Sequence, residues 1–198
     1  MSDQPLPAAW PWQQNNMRSL DRFLQYWRIR VASRWISAGS RILDVGCYRG
    51  ELFRFLGDRI GPSVGLDPLA PETSNPRYRL IAQAFCEPLP FPEASFDVVA
   101  LLATLEHIED KEPLARECRR LVRPNGRVIV TVPGRVVDGL LGVLVGLHLA
   151  DGMSLEQHHG FEPQETVGLF LRHGFALEHR SRFQAGVNNL FVFCGKYN

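Results

Sequence analysis

Short apolar runs alternate along this chain with longer stretches in which apolar residues recur at every third or fourth position. The short runs predict buried strands at 42–45, 63–67, 78–85, 96–102 and 127–132. The longer stretches predict helices at 15–36, at 51 to about 59, and at 110 to about 122. Strands that alternate with helices in this way predict a parallel sheet with both faces covered.

The pattern changes after residue 133. An apolar helix is expected at 136–150, and a polar loop at 151–161 separates it from a helix that begins at Pro163. The last two apolar runs, 175–183 and 190–195, predict two strands that pair as an antiparallel hairpin at one edge of the sheet.

The first predicted helix has an apolar stripe with two open interpretations. The stripe falls on one helical face and comprises Leu20, Phe23, Leu24, Trp27, Val31 and Trp35. In the first interpretation this face packs on the sheet as ordinary core. In the second interpretation the helix is a lid that closes over a ligand.

Length and charge limit the classes of protein that fit this pattern. A chain of 198 residues with a net charge of +1 fits one domain and carries no global signal for nucleic acid. We expect one domain over 1–198, with a tail and helix at 1–37 and further parts at 38–133 and 134–198. The basic side chains Arg116, Arg119, Arg120 and Arg123 are expected to form a solvated helix face.

The spacing of the cysteines and the length of the apolar runs indicate in which cellular compartment the protein acts. The four cysteines, Cys47, Cys86, Cys118 and Cys194, form no C-x-x-C pair, which favours a reducing compartment such as the cytoplasm over a disulfide framework. The N-terminal stretch lacks the apolar core of a secretory signal. The longest apolar run, 136–150, is shorter than the ~20 residues of a spanning helix, so no stable membrane insertion is expected.

The turn after the first strand carries the clearest chemical signal. Asp44 is followed by Gly46 and Gly50 at the start of a helix, a position where backbone N–H groups are available to a ligand. A dinucleotide fingerprint requires a glycine where this chain has Tyr48, so a nicotinamide-dependent dehydrogenase is disfavoured. An acid directly before the turn also suits a cationic ligand better than a pyrophosphate.

The motifs along residues 41–133 then resemble a known family. The segments LDVGCYRG, VGLDP, EPLPFPEASFDVV, ATLEHIED and RECRRLVRPNGRVIVTVP are similar, in order and spacing, to those of class I S-adenosylmethionine-dependent methyltransferases. The tail resembles that of small bacterial members. This resemblance implies a Rossmann-like three-layer sandwich with a seven-stranded, mostly parallel sheet whose last strand is antiparallel.

The resemblance also implies roles for individual residues. Asp44 and Gly46 are expected at the methionine end of S-adenosylmethionine, and Asp67 at the ribose hydroxyls. The full set of expected cofactor residues is Asp44, Gly46, Cys47, Tyr48, Gly50, Asp67, Pro68, Cys86, Glu87, Leu102 and Thr104. Tyr48 departs from the family, because most members have a small residue there.

Methyl transfer to a hydroxyl needs a base for the acceptor's proton. The resemblance places His107 near the methyl-transfer end, and His158 and His159 are further candidates; His148 lies within the apolar helix and is less suitable. No metal is expected, since the His158–His159 pair lacks a third ligand at useful spacing.

We therefore expect methyl transfer to a small molecule or glycan, with S-adenosylhomocysteine as the product. We expect the acceptor atom to be oxygen. The segment Leu101–Thr104 lacks the N-P-P-[YF/W]-type tetrapeptide of many amino-group methylating members, which disfavours amino groups on nucleic acid or protein but does not select oxygen. The alternative is a cofactor- or partner-binding protein that kept the fold and lost the reaction, since Tyr48 interrupts the motif. The 136–150 helix fits core, an acceptor pocket or a lipid- or partner-facing surface, and the oligomeric state stays open.

Overall fold

The computed structural model describes residues 19–71, 73, 75–134 and 163–196. The predicted extended tail, the apolar helix at 136–150 and the loop at 151–161 lie outside the described residues. The same holds for three histidines considered above: His148, His158 and His159.

The described residues form seven strands and four helices of at least six residues. The strands are β1 (Ile42–Val45), β2 (Ser63–Asp67), β3 (Tyr78–Ala82), β4 (Phe96–Leu102), β5 (Val122–Pro133), β6 (Phe175–Phe183) and β7 (Asn188–Gly195). The helices are α1 (Ser19–Ser33), α2 (Glu51–Leu56), α3 (Lys111–Leu121) and α4 (Pro163–Arg172).

Most predicted elements are confirmed, and the differences lie at their ends. β3 is shorter than predicted, because the chain leaves the sheet after Ala82. α2 ends at Leu56, and one 3₁₀ turn, Gly57–Arg59, follows it. The start of α3 is capped as expected, since the Asp110 carboxylate accepts a hydrogen bond from the N–H of Glu112 at 3.1 Å.

The sheet confirms the expected fold class. Its strand order is β3-β2-β1-β4-β5-β7-β6. β7 runs antiparallel to both β5 and β6, and the other six strands share one direction. The predicted hairpin of the last two strands is also confirmed, with β6 at the edge. The carboxyl ends of the parallel strands all lie at one end of the sheet, which we call the carboxyl edge, and open sheets of this type bind ligands there.

Helices cover both faces of the sheet, as the alternating pattern predicted. On one face α3 and α4 bury Leu114, Cys118 and Phe170 against the strands. On the other face α1 and α2 bury Ile29 and Phe53. These two cores hold the strands, and therefore the turns at the carboxyl edge, in fixed positions.

The expected apolar face of α1 is partly wrong. Phe23 and Trp27 are 55% and 38% exposed, and their rings pack on each other with centroids 5.6 Å apart. The buried residues of α1 are Ile29 and Ala32, which face the sheet and α2. The helix thus packs on the domain through its C-terminal half, because that part meets the core.

Among the helices that the structure describes, none combines the length and the apolar character needed to cross a bilayer.

Candidate functional site

The turn after β1 lies at the centre of the carboxyl edge. The N–H groups of Gly46 and Cys47 both donate to the Leu66 carbonyl, at 2.8 and 3.1 Å, which ties the turn to β2. Gly46 has φ +80°, and a Cβ there would lie 2.8 Å from Cγ2 of Thr104 and closer still to its hydroxyl. Only glycine fits this position without displacing Thr104. Gly50 closes the turn ahead of α2, with φ +78° and an N–H that donates to the Cys47 carbonyl at 2.8 Å.

Asp44 is a buried acid, and one of its carboxylate oxygens has no hydrogen-bond partner among the described residues. It is 3% exposed, and its Oδ1 makes no hydrogen bond within the described part of the chain. Burial, with smaller contributions from Glu51 and Asp67, raises the pKa of Asp44 to about 8. A buried carboxylate is costly unless a cation or donor compensates it. The cationic methionine end of S-adenosylmethionine fits this requirement, so the residues present are compatible with that cofactor.

Asp67 joins two turns at the end of β2. Its Oδ2 accepts from the N–H of Tyr48 at 2.9 Å, and its Oδ1 accepts from the N–H of Leu69 at 2.8 Å. Each carboxylate oxygen has a second lone pair, so both can still accept hydrogen bonds from vicinal hydroxyls. The geometry is compatible with the expected ribose contact and also fixes the turn at Tyr48.

Tyr48, the residue that departs from the family pattern, has φ +48° and a half-buried side chain. The Arg49 guanidinium lies 5.5 Å from the centroid of the Tyr48 ring. The backbone of Tyr48 therefore takes part in the turn, through its bond to Asp67, whatever its side chain contributes.

Cys47 contributes to the core and not to the ligand side of the turn. Its thiol is buried and packs against Gly65, where a Cβ would lie 2.6 Å from Sγ. Burial raises the pKa of this thiol, so it stays protonated. The Cys47 thiol is thus directed into the core, and the backbone N–H and carbonyl of Cys47 hold the turn through Leu66 and Gly50.

The expected adenine side of the site lies in the loop after β3. Cys86 is exposed and its sulfur accepts from the Gln83 amide at 2.9 Å. The Glu87 carboxylate pairs with the Arg116 guanidinium through contacts of 2.9 and 3.3 Å. Pro68 is exposed on the neighbouring turn. Glu87 is therefore already paired, and Arg116 is exposed, as the sequence predicted, while it holds this loop.

The segment after β4 reaches the β1 turn. The Thr104 hydroxyl donates to the Val45 carbonyl at 2.8 Å, and Leu102 packs half-buried against the α1–α2 core. His107 ends a 3₁₀ turn, Leu105–His107, and is exposed. Of the three candidate bases, only His107 lies in the described ranges, and it points away from the interior.

Two charged residues that the sequence pattern did not single out lie at this edge. Glu106 occupies the same 3₁₀ turn, and burial raises its pKa to about 7, although Arg28 and Lys111 act in the opposite direction. Burial lowers the pKa of the Arg28 guanidinium on α1, and the charge of Glu106 acts in the opposite direction. The signal was present in the sequence: Arg28 follows Leu24 by four residues, on the expected inner face of α1, and Glu106 precedes His107 in ATLEHIED.

The side chains of this edge do not form a metal centre. Within 19–71, 73, 75–134 and 163–196, no three His, Cys, Asp or Glu side chains are grouped to hold a metal ion.

Comparison with known proteins places this geometry in a family. Residues 43–130, which run from β1 into β5, match the family described as a methyltransferase domain. A Mycolicibacterium smegmatis protein named "probable S-adenosylmethionine-dependent methyltransferase" is 31% identical over 71% of this chain and 58% of its own. A ubiquinone biosynthesis O-methyltransferase of Pseudomonas fluorescens is 36% identical over 55% of this chain and 51% of its own. This chain thus spans about half the length of the curated relatives it matches.

Solved structures agree on the fold. An S-adenosylmethionine-dependent methyltransferase of Mesorhizobium loti, 18% identical, superposes with a TM-score of 0.61 over 86% of this chain and 97% of its own. Residues 43–130, with the glycine turn beside Asp44, therefore match a methyltransferase domain. The similarity of the chain to S-adenosylmethionine-dependent methyltransferases supports S-adenosylmethionine as its cofactor.

Proposed function

We propose that this chain transfers the methyl group of S-adenosylmethionine to a hydroxyl oxygen of a small molecule. The observation that carries the proposal is the buried carboxylate of Asp44, which has an unpartnered oxygen within the described residues, directly before the glycine turn. Such a carboxylate favours a cationic group beside it. The cofactor, when bound, supplies an electrophilic methyl group on a positively charged sulfur.

The residues of the carboxyl edge divide the work of binding that cofactor. Asp44 would face its ammonium group, and Asp67 would accept hydrogen bonds from the ribose hydroxyls. Gly46 lets the turn pack directly against Thr104. Pro68 and the loop that carries Glu87 would lie along the adenine. All of these residues belong to the expected part at 38–133. Residues 134–198 would shape the acceptor side.

Two observations support oxygen as the acceptor atom. The Pseudomonas fluorescens relative is named an O-methyltransferase, although it matches only 55% of this chain. In addition, the end of β4 reads Leu101-Leu102-Ala103-Thr104, and the one hydroxyl in this segment is already bonded to Val45. None of these four side chains has a carbonyl that could hold an amino group, so the segment disfavours nitrogen as the acceptor atom.

The protein's four free thiols, all in the described ranges, are consistent with action in a reducing compartment. We propose the cytoplasm on this basis.

The proposal is tested in two steps that separate binding from turnover. Calorimetry with S-adenosylhomocysteine should show saturable binding. Transfer of tritiated methyl from the cofactor is then measured with phenolic, sugar and amine acceptors, and we expect product with hydroxyl acceptors. Binding without transfer to any acceptor would support the alternative of an inactive cofactor-binding protein, and transfer to amines alone would contradict the assignment to oxygen.

A further inference from the structure

Two opposite charges interact across the carboxyl edge, Arg28 on α1 and Glu106 on the 3₁₀ turn after β4. The Nε of Arg28 and the Oε2 of Glu106 are both shielded from solvent, and neither makes a hydrogen bond within the described ranges. Each charge favours the ionised form of the other. Buried charges that face each other but leave hydrogen-bonding atoms unpaired are costly for a fold, and such costs concentrate at functional sites.

Both residues are held in place by the elements beneath them. Leu105 is fully buried next to Glu106, and Thr104 is bonded to the β1 turn through Val45. On the other side, α1 is anchored by buried Ile29 and by its Leu24 carbonyl, which accepts from the Gln184 side chain at 2.7 Å. The pair is therefore positioned near the turn of Asp44, where the reacting methyl group is expected.

We propose that Glu106 and Arg28 bind the acceptor's hydroxyl, with Glu106 as the base that takes its proton and Arg28 as the cation that stabilises the resulting oxyanion. This inference rests on the proposed transfer to oxygen. The acceptor's O–H bond breaks as the proton passes to Oε2 of Glu106. The oxygen's electron pair forms the new C–O bond to the methyl carbon, and the electrons of the broken C–S bond remain on the sulfur of S-adenosylhomocysteine.

The acidity of Glu106 narrows the class of acceptor. A phenol has a pKa of about 10, so proton transfer to a base with a pKa of about 7 is unfavourable by about 10³-fold. An aliphatic hydroxyl resembles water, with a pKa of about 15.7, and the same transfer is unfavourable by more than about 10⁸-fold. The site thus favours an acidic hydroxyl, phenolic or enolic, over the hydroxyls of a glycan.

The charged groups that face Glu106 also set the expected pH dependence. Arg28 from α1 and Lys111 from the start of α3 both lower the pKa of Glu106, against the effect of burial. Glu106 accepts a proton only when it is ionised, so phenol binding should strengthen as the pH rises through about 7. Removal of the Arg28 charge should move this midpoint to higher pH.

The test uses catechol as the probe and protein saturated with S-adenosylhomocysteine, with affinity measured by equilibrium dialysis between pH 5 and 8.5. Catechol stays protonated over most of this range, so the pH profile reports on the protein. The wild-type affinity should rise through about pH 7. Glu106→Gln should weaken binding by about 10- to 100-fold at pH 8 and give a flat profile. Glu106→Asp should keep the pH dependence, and Arg28→Met should shift its midpoint upward.

Matched controls are the exposed neighbours Glu109→Gln and Arg30→Gln, which should leave the profile unchanged. Methyl α-glucoside should bind far more weakly than catechol at every pH. The proposal is overturned if wild-type protein fails to bind catechol, if its profile is flat, or if Glu106→Gln binds as well as wild type. Failure to bind S-adenosylhomocysteine at all would instead count against the proposed function.

Discussion

The hydroxyl of Thr104 donates a hydrogen bond of 2.8 Å to the backbone carbonyl of Val45. This bond joins the segment that leaves β4 to the last residue of β1, although the two residues are 59 positions apart in the chain. It fixes the distance between the expected cofactor turn and the turn that carries Glu106. The relative placement of these two turns therefore depends on this buried contact as well as on the pairing of β1 with β4.

Loss of this hydroxyl should destabilise the protein. Thr104→Val keeps the shape of the side chain but leaves the Val45 carbonyl without its donor, and we expect a loss of about 1–3 kcal/mol in the free energy of unfolding. Thr104→Ser keeps the hydroxyl and should lose less. Urea denaturation of the two variants measures the difference, and equal stability of both would show that the bond contributes little.

Gly46→Ala should destabilise the protein more than the replacement of another glycine with a similar φ by alanine. Gly39 has φ +79° and open space within 4 Å of where a Cβ would lie, so Gly39→Ala reports the cost of the angle alone, about 1–2 kcal/mol. Gly46→Ala adds the collision with Thr104, worth about 1–3 kcal/mol more. Denaturation midpoints of the two variants test this ranking. In the double variant Gly46→Ala with Thr104→Ala, the extra loss of stability at Gly46 should be smaller, because Thr104 is the residue with which the new Cβ collides. Equal losses at the two glycines would contradict it.

Cofactor binding should release a proton from Asp44. At pH 6.5 this acid is protonated in the unliganded protein, because its pKa is about 8, and a cationic group beside it favours the carboxylate. We therefore expect close to one proton released on binding S-adenosylhomocysteine, and affinity that rises with pH up to about 8. Calorimetry in phosphate and imidazole buffers counts the proton. Asp44→Asn should release none, and identical binding enthalpies in both buffers for wild type would refute the role.

Asp67→Ala should weaken binding of S-adenosylhomocysteine by about 10- to 100-fold, since it removes hydrogen bonds from a charged acceptor and loosens the turn at Tyr48. Asp58→Ala is the matched control, because that carboxylate is 94% exposed and pairs only at the surface with Arg77. Calorimetry on both variants decides. If Asp67→Ala binds as tightly as Asp58→Ala, the ribose contact is misassigned.

The loop on the adenine side should depend on a buried ion pair. Glu117 accepts from the Leu89 N–H at 2.8 Å and from the Arg120 guanidinium, which also donates to the Phe91 carbonyl at 2.8 Å. Glu117→Gln leaves Arg120 without its counter-charge, and we expect a loss of about 3–5 kcal/mol in the free energy of unfolding.

The pH dependence of that contribution has a definite sign. The pairing lowers the pKa of Glu117 in the folded state, in spite of its burial, so the stabilisation is present above the unfolded pKa of about 4.3. It is lost as the pH falls through the lowered folded value. Denaturation at pH 7 and pH 3 measures this. Glu178→Gln, which breaks the more exposed pair with Arg127, should cost at most about 1 kcal/mol, and an equal loss would contradict the assignment.

The arginines at the end of α3 and the start of β5 show what a sequence period leaves open. They lie on an exposed or partly exposed face, as predicted, and they also hold partners there: Arg119 donates to the Lys196 carbonyl, Arg120 binds the β3–β4 loop and Arg123 pairs with Asp97. An exposed helix face and one that holds neighbouring loops have the same sequence period. Only the position of the partner loops, which come from distant parts of the chain, distinguishes them.

The sequence by itself determined the sheet, the glycine turn and the acids before and after it. Local periods of two and 3.6 residues specify strands and helices, and the spacing of Asp44, Gly46, Gly50 and Asp67 depends only on chain order. It also favoured histidines as bases, since histidine is the residue whose ordinary pKa suits that role.

Only the tertiary structure decided which charges become buried and which groups they face. Arg28 and Glu106 are 78 positions apart, and neither is unusual in its own segment. Their significance comes from burial and proximity, which change the pKa of each by removing water and adding an opposite charge. The exposed side chains of Phe23 and Trp27 have the same origin, because the core, and not the helical period, determines which face of α1 is covered.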